Sequence, residues 1–317
     1  MKKGRGKSER REVEGGEEGL VVRVDSRLCH VLIGEERRKC RVRGVLFRDE
    51  DAFTKPVAVG DRVRVQRQKS PPDIVVEVLP RRSRLSRPSY GRRREQVIAA
   101  NLDRAILVQS VAAPALNLRL LDRMLVSPER GEFGAVIVLN KVDLLDDRSL
   151  LAPVRELYAK LGYDVLETST ITGEGIEALR TLLHEGISVF AGMSGVGKSA
   201  LLTAVQPDLA LTSRAVSDLT GKGKHTTTHV ALLELEGGGW VVDTPGVREF
   251  GVAGLEAWEV GACFREFREF LGACRFRTCT HTHEGSCAVK QAVEDGAIHE
   301  LRYDSYLRIV ESLDQPY

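Results

Sequence analysis

No stretch of this sequence stays apolar over the roughly 20 residues that a membrane-crossing helix needs. The start, Met1 to Gly19, is charged and has no apolar core of the kind that marks a secretory leader. Both absences argue against membranes and export, so the expected location is the cytoplasm. Internal repeats are missing too, which argues against a solenoid. Acidic residues vanish between Arg81 and Arg94, a stretch with seven arginines that also contains Pro88 and Gly91. That composition predicts an exposed linker and not a helix.

What is present is charge, unevenly spread. The 317 residues have room for two or three domains, each with its own core. A net charge of +2 hides a division: residues 1–96 carry 26 Lys/Arg against 15 Asp/Glu, a net +11, while residues 97–317 carry 21 against 30, a net −9. A basic front end is the footprint of a phosphate-rich partner, most often nucleic acid, although a merely solvated tail gives the same count.

Residues 1–18 have almost no apolar content and run from basic (Lys2 to Arg11) to acidic (Glu12 to Glu18), as a disordered tail does. From Gly19 onward, short β-branched segments follow one another: Leu20–Val24, Leu28–Ile33, Cys40–Leu46, Asp61–Val65 and Ile74–Leu79. Five short strands with no helical period between them predict a small barrel, with the five-stranded oligonucleotide-binding (OB) fold as the best match and a barrel without ligand sharing its pattern. After Val97, apolar strands alternate with helical stretches: Arg104–Val108, Leu118–Val126, Ala135–Leu139, Leu150–Leu161 and Asp164–Glu167. Alternation of this kind implies an α/β domain with a helix-covered parallel sheet, to which Ile187–Phe190 and Trp240–Val242 add buried strands. Beyond Gly251, Cys, His and Phe crowd into Cys263–Cys287 ahead of a helical C-terminus, Ala288–Leu313. The expected division is therefore a disordered tail at 1–18, a barrel at 19–82, an arginine-rich linker at 83–96, an α/β domain at 97–253 and a small third domain at 254–317.

Gly192-Met193-Ser194-Gly195-Val196-Gly197-Lys198-Ser199 follows the strand Ile187–Phe190, with Ala200 leading into the helix-like segment to Val205. This is the strand–loop–helix setting that a phosphate-binding G-x-x-x-x-G-K-S loop requires. Its glycines let backbone N–H groups turn inward around phosphates at a helix N-terminus. Lys198 is placed to neutralise β and γ oxygens and Ser199 to ligate Mg²⁺. Asp243-Thr244-Pro245-Gly246 ends another strand, where Asp243 can reach the metal's water shell and the Gly246 N–H the γ-phosphate; alone, it is also an ordinary turn.

Asn140-Lys141-Val142-Asp143 also lies at the C-terminal end of a strand, where ligands bind in open α/β sheets. A carboxylate at Asp143 can accept from guanine N1–H and the 2-amino group, and adenine would leave it unpaired. Ser169-Thr170-Ile171-Thr172-Gly173 ends a further strand and can offer backbone contacts to the guanine O6. Together these are the motifs of a GTPase, but in an unusual order. The base-recognition pair precedes the phosphate loop, so the domain is circularly permuted, which is tolerable because domain termini commonly lie close together.

In that order, Gly221-Lys222-Gly223-Lys224-His225-Thr226-Thr227-Thr228-His229 resembles the switch-one signature of the ribosome small-subunit-dependent GTPase A family. The resemblance spans residues 20–317 and includes Asp122-Arg123 and Asp243-Thr244-Pro245-Gly246-Val247-Arg248. It implies an N-terminal OB barrel, a permuted GTPase core and a C-terminal zinc domain, in a protein acting late in small-subunit maturation and stimulated by that subunit. It makes Thr227 the switch residue for Mg²⁺ and the γ-phosphate, with Thr226 and Thr228 as alternatives. Val247 stands where many GTPases place a water-orienting glutamine, and an aliphatic side chain cannot orient water. The resemblance points instead to His225, whose imidazole can position or deprotonate water and whose plain alternative is an exposed loop histidine.

Cys274, Cys279, His281 and Cys287 fit C-x₄-C-x-H-x₅-C, the pattern of that family's zinc domain. Thiolates and imidazole at short loop spacings suit tetrahedral Zn²⁺, and four protein ligands leave no open position, so one structural zinc is expected. His283 is a competing ligand that the spacing does not require, and Cys29, Cys40 and Cys263 read as core residues. The expected cofactors are thus GTP/GDP, Mg²⁺ and Zn²⁺, and the expected partners are the small ribosomal subunit and its rRNA, bound by a monomer. Two other readings share part of the pattern: an RNA-binding module with a sensory nucleotide site, and a GTPase acting on tRNA or another RNA.

Overall fold

The computed structural model describes residues 16–25, 28–47, 56–88, 95–209, 230–243, 252 and 255–313. Period-two burial builds the first unit. Along β1 (Glu17–Asp25), β2 (Leu28–Ile33), β3 (Glu36–Val42), β4 (Arg62–Gln66) and β5 (Asp73–Val78), Val21, Cys29, Val31, Cys40, Val63, Val65 and Val75 point into one shared core. The strands pair in the order β1-β2-β3-β5-β4 and β4 returns to β1, closing a five-stranded barrel of the OB type. Cys29 and Cys40 are fully buried in it, as expected.

Two boundaries differ from the sequence reading. Glu17 and Glu18, expected in the disordered tail, open β1, because their backbones pair with Val65 and Arg64 and Glu17 forms an ion pair with Arg38. The rest of that tail, residues 1–15, lies outside the described residues. The ends of the arginine-rich stretch are strands and not linker: β6 (Arg84–Pro88) pairs antiparallel with β7 (Glu95–Ala100) as the two arms of a hairpin, and residues 89–94 between them lie outside the described residues. Leu85, Val97 and Ala99 alternate inward along the two arms, a pattern masked in sequence by the arginines. Several of those arginines hold the fold together. Arg81 donates from Nε and Nη2 to the buried carboxylate of Asp61 at 2.7 and 2.8 Å, and Arg82 meets Asp103 at 3.2 Å.

The central sheet runs β10-β9-β8-β11-β13-β12, built from β8 (Arg104–Ser110), β9 (Gly134–Asn140), β10 (Asp164–Thr168), β11 (Ile187–Ala191), β12 (Val230–Glu234) and β13 (Trp240–Asp243). All neighbours are parallel except β12, which runs antiparallel to β13. Their apolar runs are buried on both faces, as parallel strands require. Ala105, Leu107, Ile137 and Leu139 pack towards α1 (Leu118–Gly131) and α2 (Ala152–Lys160), while Ile106, Val108, Val136 and Val138 pack towards α3 (Ile176–Leu183) and α4 (Lys198–Val205).

The two sheets are continuous. β1 pairs antiparallel with β12 (Arg23 opposite Ala231, Val24 opposite Val230), and Arg37 meets Glu234 across the seam at 3.2 Å. The C-terminal module comprises α5 (Ala257–Val260), α6 (Ala288–Glu294) and α7 (Glu300–Leu313) around Phe264, Phe267 and Tyr306. The helical C-terminus expected over Ala288–Leu313 is made of two helices, with Gly296 at a left-handed φ of +75° between them. Val126 of α1 and Cys263 belong to the same core, so the module packs directly on the central domain.

Candidate nucleotide and zinc sites

The strand β11 delivers the chain to Gly192, whose φ of +149° favours glycine and whose missing Cβ would lie 2.4 Å from the Val108 carbonyl. Gly195 and Gly197 are also left-handed, and a Cβ on Gly197 would lie 2.3 Å from Asn140 Nδ2. The loop is thus pressed against β8 and the Asn-Lys motif before entering α4, whose first turn carries Lys198 with exposed Ser199 and Ala200. Met193, Ser194 and Gly195 are exposed at the rim and Val196 is buried beneath it. Lys198 Nζ donates to the Gly192 and Met193 carbonyls at 2.7 and 2.8 Å. Burial pulls this ammonium below the ordinary lysine range, and an adjacent phosphate would offset that shift.

The Asn140–Asp143 motif, Thr168-Ser169 and the Gly192–Ser199 loop form one hydrogen-bonded body despite their separation in sequence. Asn140 Nδ2 donates to the Val196 carbonyl at 2.8 Å, while Asn140 Oδ1 accepts from Thr168 Oγ1 at 3.0 Å. Lys141, left-handed at φ +66°, donates through Nζ to the Gly195 carbonyl at 2.6 Å and also to the Ala113 carbonyl. Asp143 accepts from Ser169 Oγ, and that oxygen accepts from the backbone N–H groups of Ile171 and Thr172, both at 3.2 Å. Thr170 is half-buried between them. Sequence reasoning missed Thr168 and the Arg148–Glu174 ion pair that braces the base-side loops; only the position of Thr168 just before Ser169 hinted at its role.

Asp243 ends β13 beside β11, where Val242 is registered with Val189, so its carboxyl lies at the same sheet end as the phosphate loop. It is half-buried, burial raises its pKa, and among the described residues no cation pairs with it. A carboxylate in that position has the chemistry to accept from water on a hard cation. His225, Thr226, Thr227, Thr228, Gly246 and Val247 lie outside the described residues.

The four proposed zinc ligands converge, with their donor atoms all within 4.8 Å of one another. Cys274 Sγ lies 3.8 Å from Cys287 Sγ and 3.5 Å from His281 Nδ1, and His281 Nδ1 lies 3.3 Å from Cys287 Sγ. Thiolates about 2.3 Å from a tetrahedral zinc stand roughly 3.8 Å apart, so the cage has the right size. All three cysteines are free of disulfides. Burial pushes the Cys279 thiol up to about 12, so its thiolate form calls for a cation. His283 does not join the cluster; it is exposed, with Nδ1 3.0 Å from Thr282 Oγ1. Around the cage, Glu284 accepts from Thr280 N at 2.6 Å and Thr282 N at 3.0 Å, and Tyr303 donates to the His281 carbonyl at 2.8 Å. The position of Glu284 between two ligands is the one sequence cue to its bracing role.

The family model for the RsgA GTPase matches residues 78–253, which span the hairpin and the central domain. Among curated relatives, the small ribosomal subunit biogenesis GTPase RsgA of Geobacillus sp. (strain WCH70) is 42% identical over 302 residues, covering 94% of this chain and 98% of the relative. The protein of the same name from Gemmatimonas aurantiaca is 43% identical over 299 residues, covering 93% and 97%. Among solved structures, YjeQ from Thermotoga maritima superposes with a TM-score of 0.74 at 36% identity over 95% of this chain and 99% of its own. YloQ, described as a circularly permuted GTPase, superposes at 0.72 with 31% identity over 98% and 100%. The matches thus run along nearly the whole length, through barrel, central domain and C-terminal module, and the chain belongs to the RsgA GTPase family.

Proposed function

We propose that this protein hydrolyses GTP in response to docking on the small ribosomal subunit, and that the cycle serves late maturation of that subunit. The observation carrying the guanine assignment is the web tying Asn140 and Lys141 to the phosphate loop and Asp143 to Ser169. It supports a reading in which Asp143 reads the base beside the phosphate loop. Lys198 meets the β and γ oxygens, Asp143 reads the base with Ser169 and Thr170, Asp243 reaches the water shell of Mg²⁺, and the Gly246 N–H meets the γ-phosphate. Mg²⁺, held by Ser199 and Thr227, would screen charge on the phosphate oxygens. Because Val247 cannot orient water, His225 does so. The zinc held by Cys274, Cys279, His281 and Cys287 is structural, since four protein ligands leave no open position.

The ribosomal half of the reading is supported by the names of relatives aligned over barrel, core and C-terminal module, and by the +11 balance of residues 1–96. Binding of rRNA through the barrel, a cytoplasmic location and a monomeric state complete it; no helix among the described residues is long and apolar enough to cross a membrane. GTP turnover measured with and without purified small subunits tests the whole reading. Strong stimulation is expected, and a rate indifferent to the subunit would overturn the coupling.

A further inference from the structure

β9 and β10 keep parallel register as far as Asn140 opposite Thr168, and the remaining base-side residues lie beyond the end of that ladder. Among the described residues, three side-chain ties cross the gap, each more exposed than the one before. Thr168 Oγ1 donates to Asn140 Oδ1 between buried side chains, Ser169 Oγ donates to a half-buried Asp143, and Arg148 meets Glu174 with 44% and 39% of their side chains exposed. The last tie is a fork. Arg148 Nη1 and Nη2 donate to Glu174 Oε1 and Oε2 at 2.5 and 2.7 Å, a two-pronged grip that a lysine cannot make. Neighbouring carboxylates are engaged elsewhere: Glu167 pairs with Arg155 at 3.0 Å, and Asp147 accepts from the Ser149 N–H at 2.9 Å.

Glu174 is also a backbone partner within the base-side loop. Its carbonyl accepts from the Ser169 N–H at 3.0 Å and the Gly173 N–H donates to the Ser169 carbonyl at 3.0 Å, so residues 169–174 close on themselves. At Gly175 a Cβ would lie 2.1 Å from the Glu167 carbonyl, which presses the end of the loop onto β10. Whatever holds the Glu174 side chain therefore also holds Ser169, and through it Asp143.

We propose that Arg148 and Glu174 are positioning residues for the guanine base, whose fork holds the two base-side loops together and sets how long GDP stays bound. The inference rests on the guanine reading of Asp143 and Ser169. A base held between two loops leaves when they part, and the outermost tie is the first to open. The buried ties keep the shape of each loop, whereas the fork lies in water, where it breaks and re-forms readily and is screened by salt. It therefore acts on the rate of release, and the choice of base stays with Asp143.

Release of methylanthraniloyl-GDP from the full-length, zinc-loaded protein, chased with excess GDP in the presence of Mg²⁺, tests this role. Arg148→Gln and Glu174→Gln should each speed release about threefold to fivefold in low salt, the range open to an exposed pair. The double variant should release no faster than either single one, because both changes remove the same contact. Raising KCl to about 0.5 M should bring the wild-type rate up towards the rates of the variants and leave theirs nearly unmoved. Single-variant rates equal to wild type, effects that multiply in the double variant, or a salt effect equal in wild type and variants would each overturn the positioning role. Asp143→Asn separates the two levels. If it speeds GDP release and Glu174→Gln does not, the fork alone falls; if it leaves release unchanged, the base lies elsewhere and both readings fall.

Discussion

Arg302, in the last helix, donates to the carboxylate of Asp122 in the first helix of the central domain, and neither side chain is more than 2% exposed. The same guanidinium reaches Glu266 at 2.6 Å and lies 4.5 Å from the Phe264 ring, while Tyr158 donates to Asp122 at 2.6 Å. Burial opposes the charge on Arg302, but Asp122 and Glu266 outweigh it and hold the group protonated. A buried ion network thus locks the C-terminal module to the nucleotide-binding domain.

Removing the cation strands two carboxylates in that interface. Arg302→Met should destabilise the protein by about 3–5 kcal/mol, because each stranded charge keeps its desolvation cost without compensation. Urea melts would show this, and the triple replacement Arg302→Met, Asp122→Leu, Glu266→Leu should recover most of the loss.

The Glu284 carboxylate braces the Cys₃His loop without belonging to the cluster. Glu284→Ala should weaken zinc retention about tenfold in a chelator competition, as loss of an outer bracing group does elsewhere. Burial raises the pKa of this carboxyl, but hydrogen bonds from Thr280 and Thr282 outweigh that and pull it down to about 2. Its bracing is therefore complete above pH 4.5, the ordinary value, and fades as the pH falls towards about 2.

Asp143→Asn should cost GTP about a hundredfold or more in affinity and shift preference to xanthine nucleotides, because the amide cannot accept both guanine donors. Competition binding with GTP and XTP checks it, and unchanged GTP affinity would place the base elsewhere.

His225→Ala should leave nucleotide affinity intact and slow subunit-stimulated hydrolysis by about 10²-fold or more, the span typical of a positioned acid–base group. Single-turnover rates on saturating subunits decide the matter, and a wild-type rate removes His225 from the chemistry.

Contacts that depend on local spacing could be read directly in the sequence. The barrel strands, the phosphate loop and the Cys-x₄-Cys-x-His-x₅-Cys cage all follow from residues close together in the chain. What escaped notice was long-range or masked. Val230–Glu234 goes unnoticed because it is short and its partner β1 lies some 200 residues away. The pairing of Leu85 with Ala99 and of Ser86 with Val97 is hidden beside a run of arginines. Arg302 looks like any helix-surface arginine until Asp122, 180 positions earlier, is folded against it. Asp122 carried a cue, as part of the family signature, but nothing local named its partner.

The ladder between β1 and β12 makes the barrel a cover as well as a neighbour. A GTPase core expressed from residue 78 onward, the span of the family match, would keep its nucleotide motifs but leave the outer backbone groups of β12 unpaired. An uncovered strand edge recruits other strands, so such a fragment should self-associate through Val230–Glu234, and size-exclusion chromatography would find it larger than its mass.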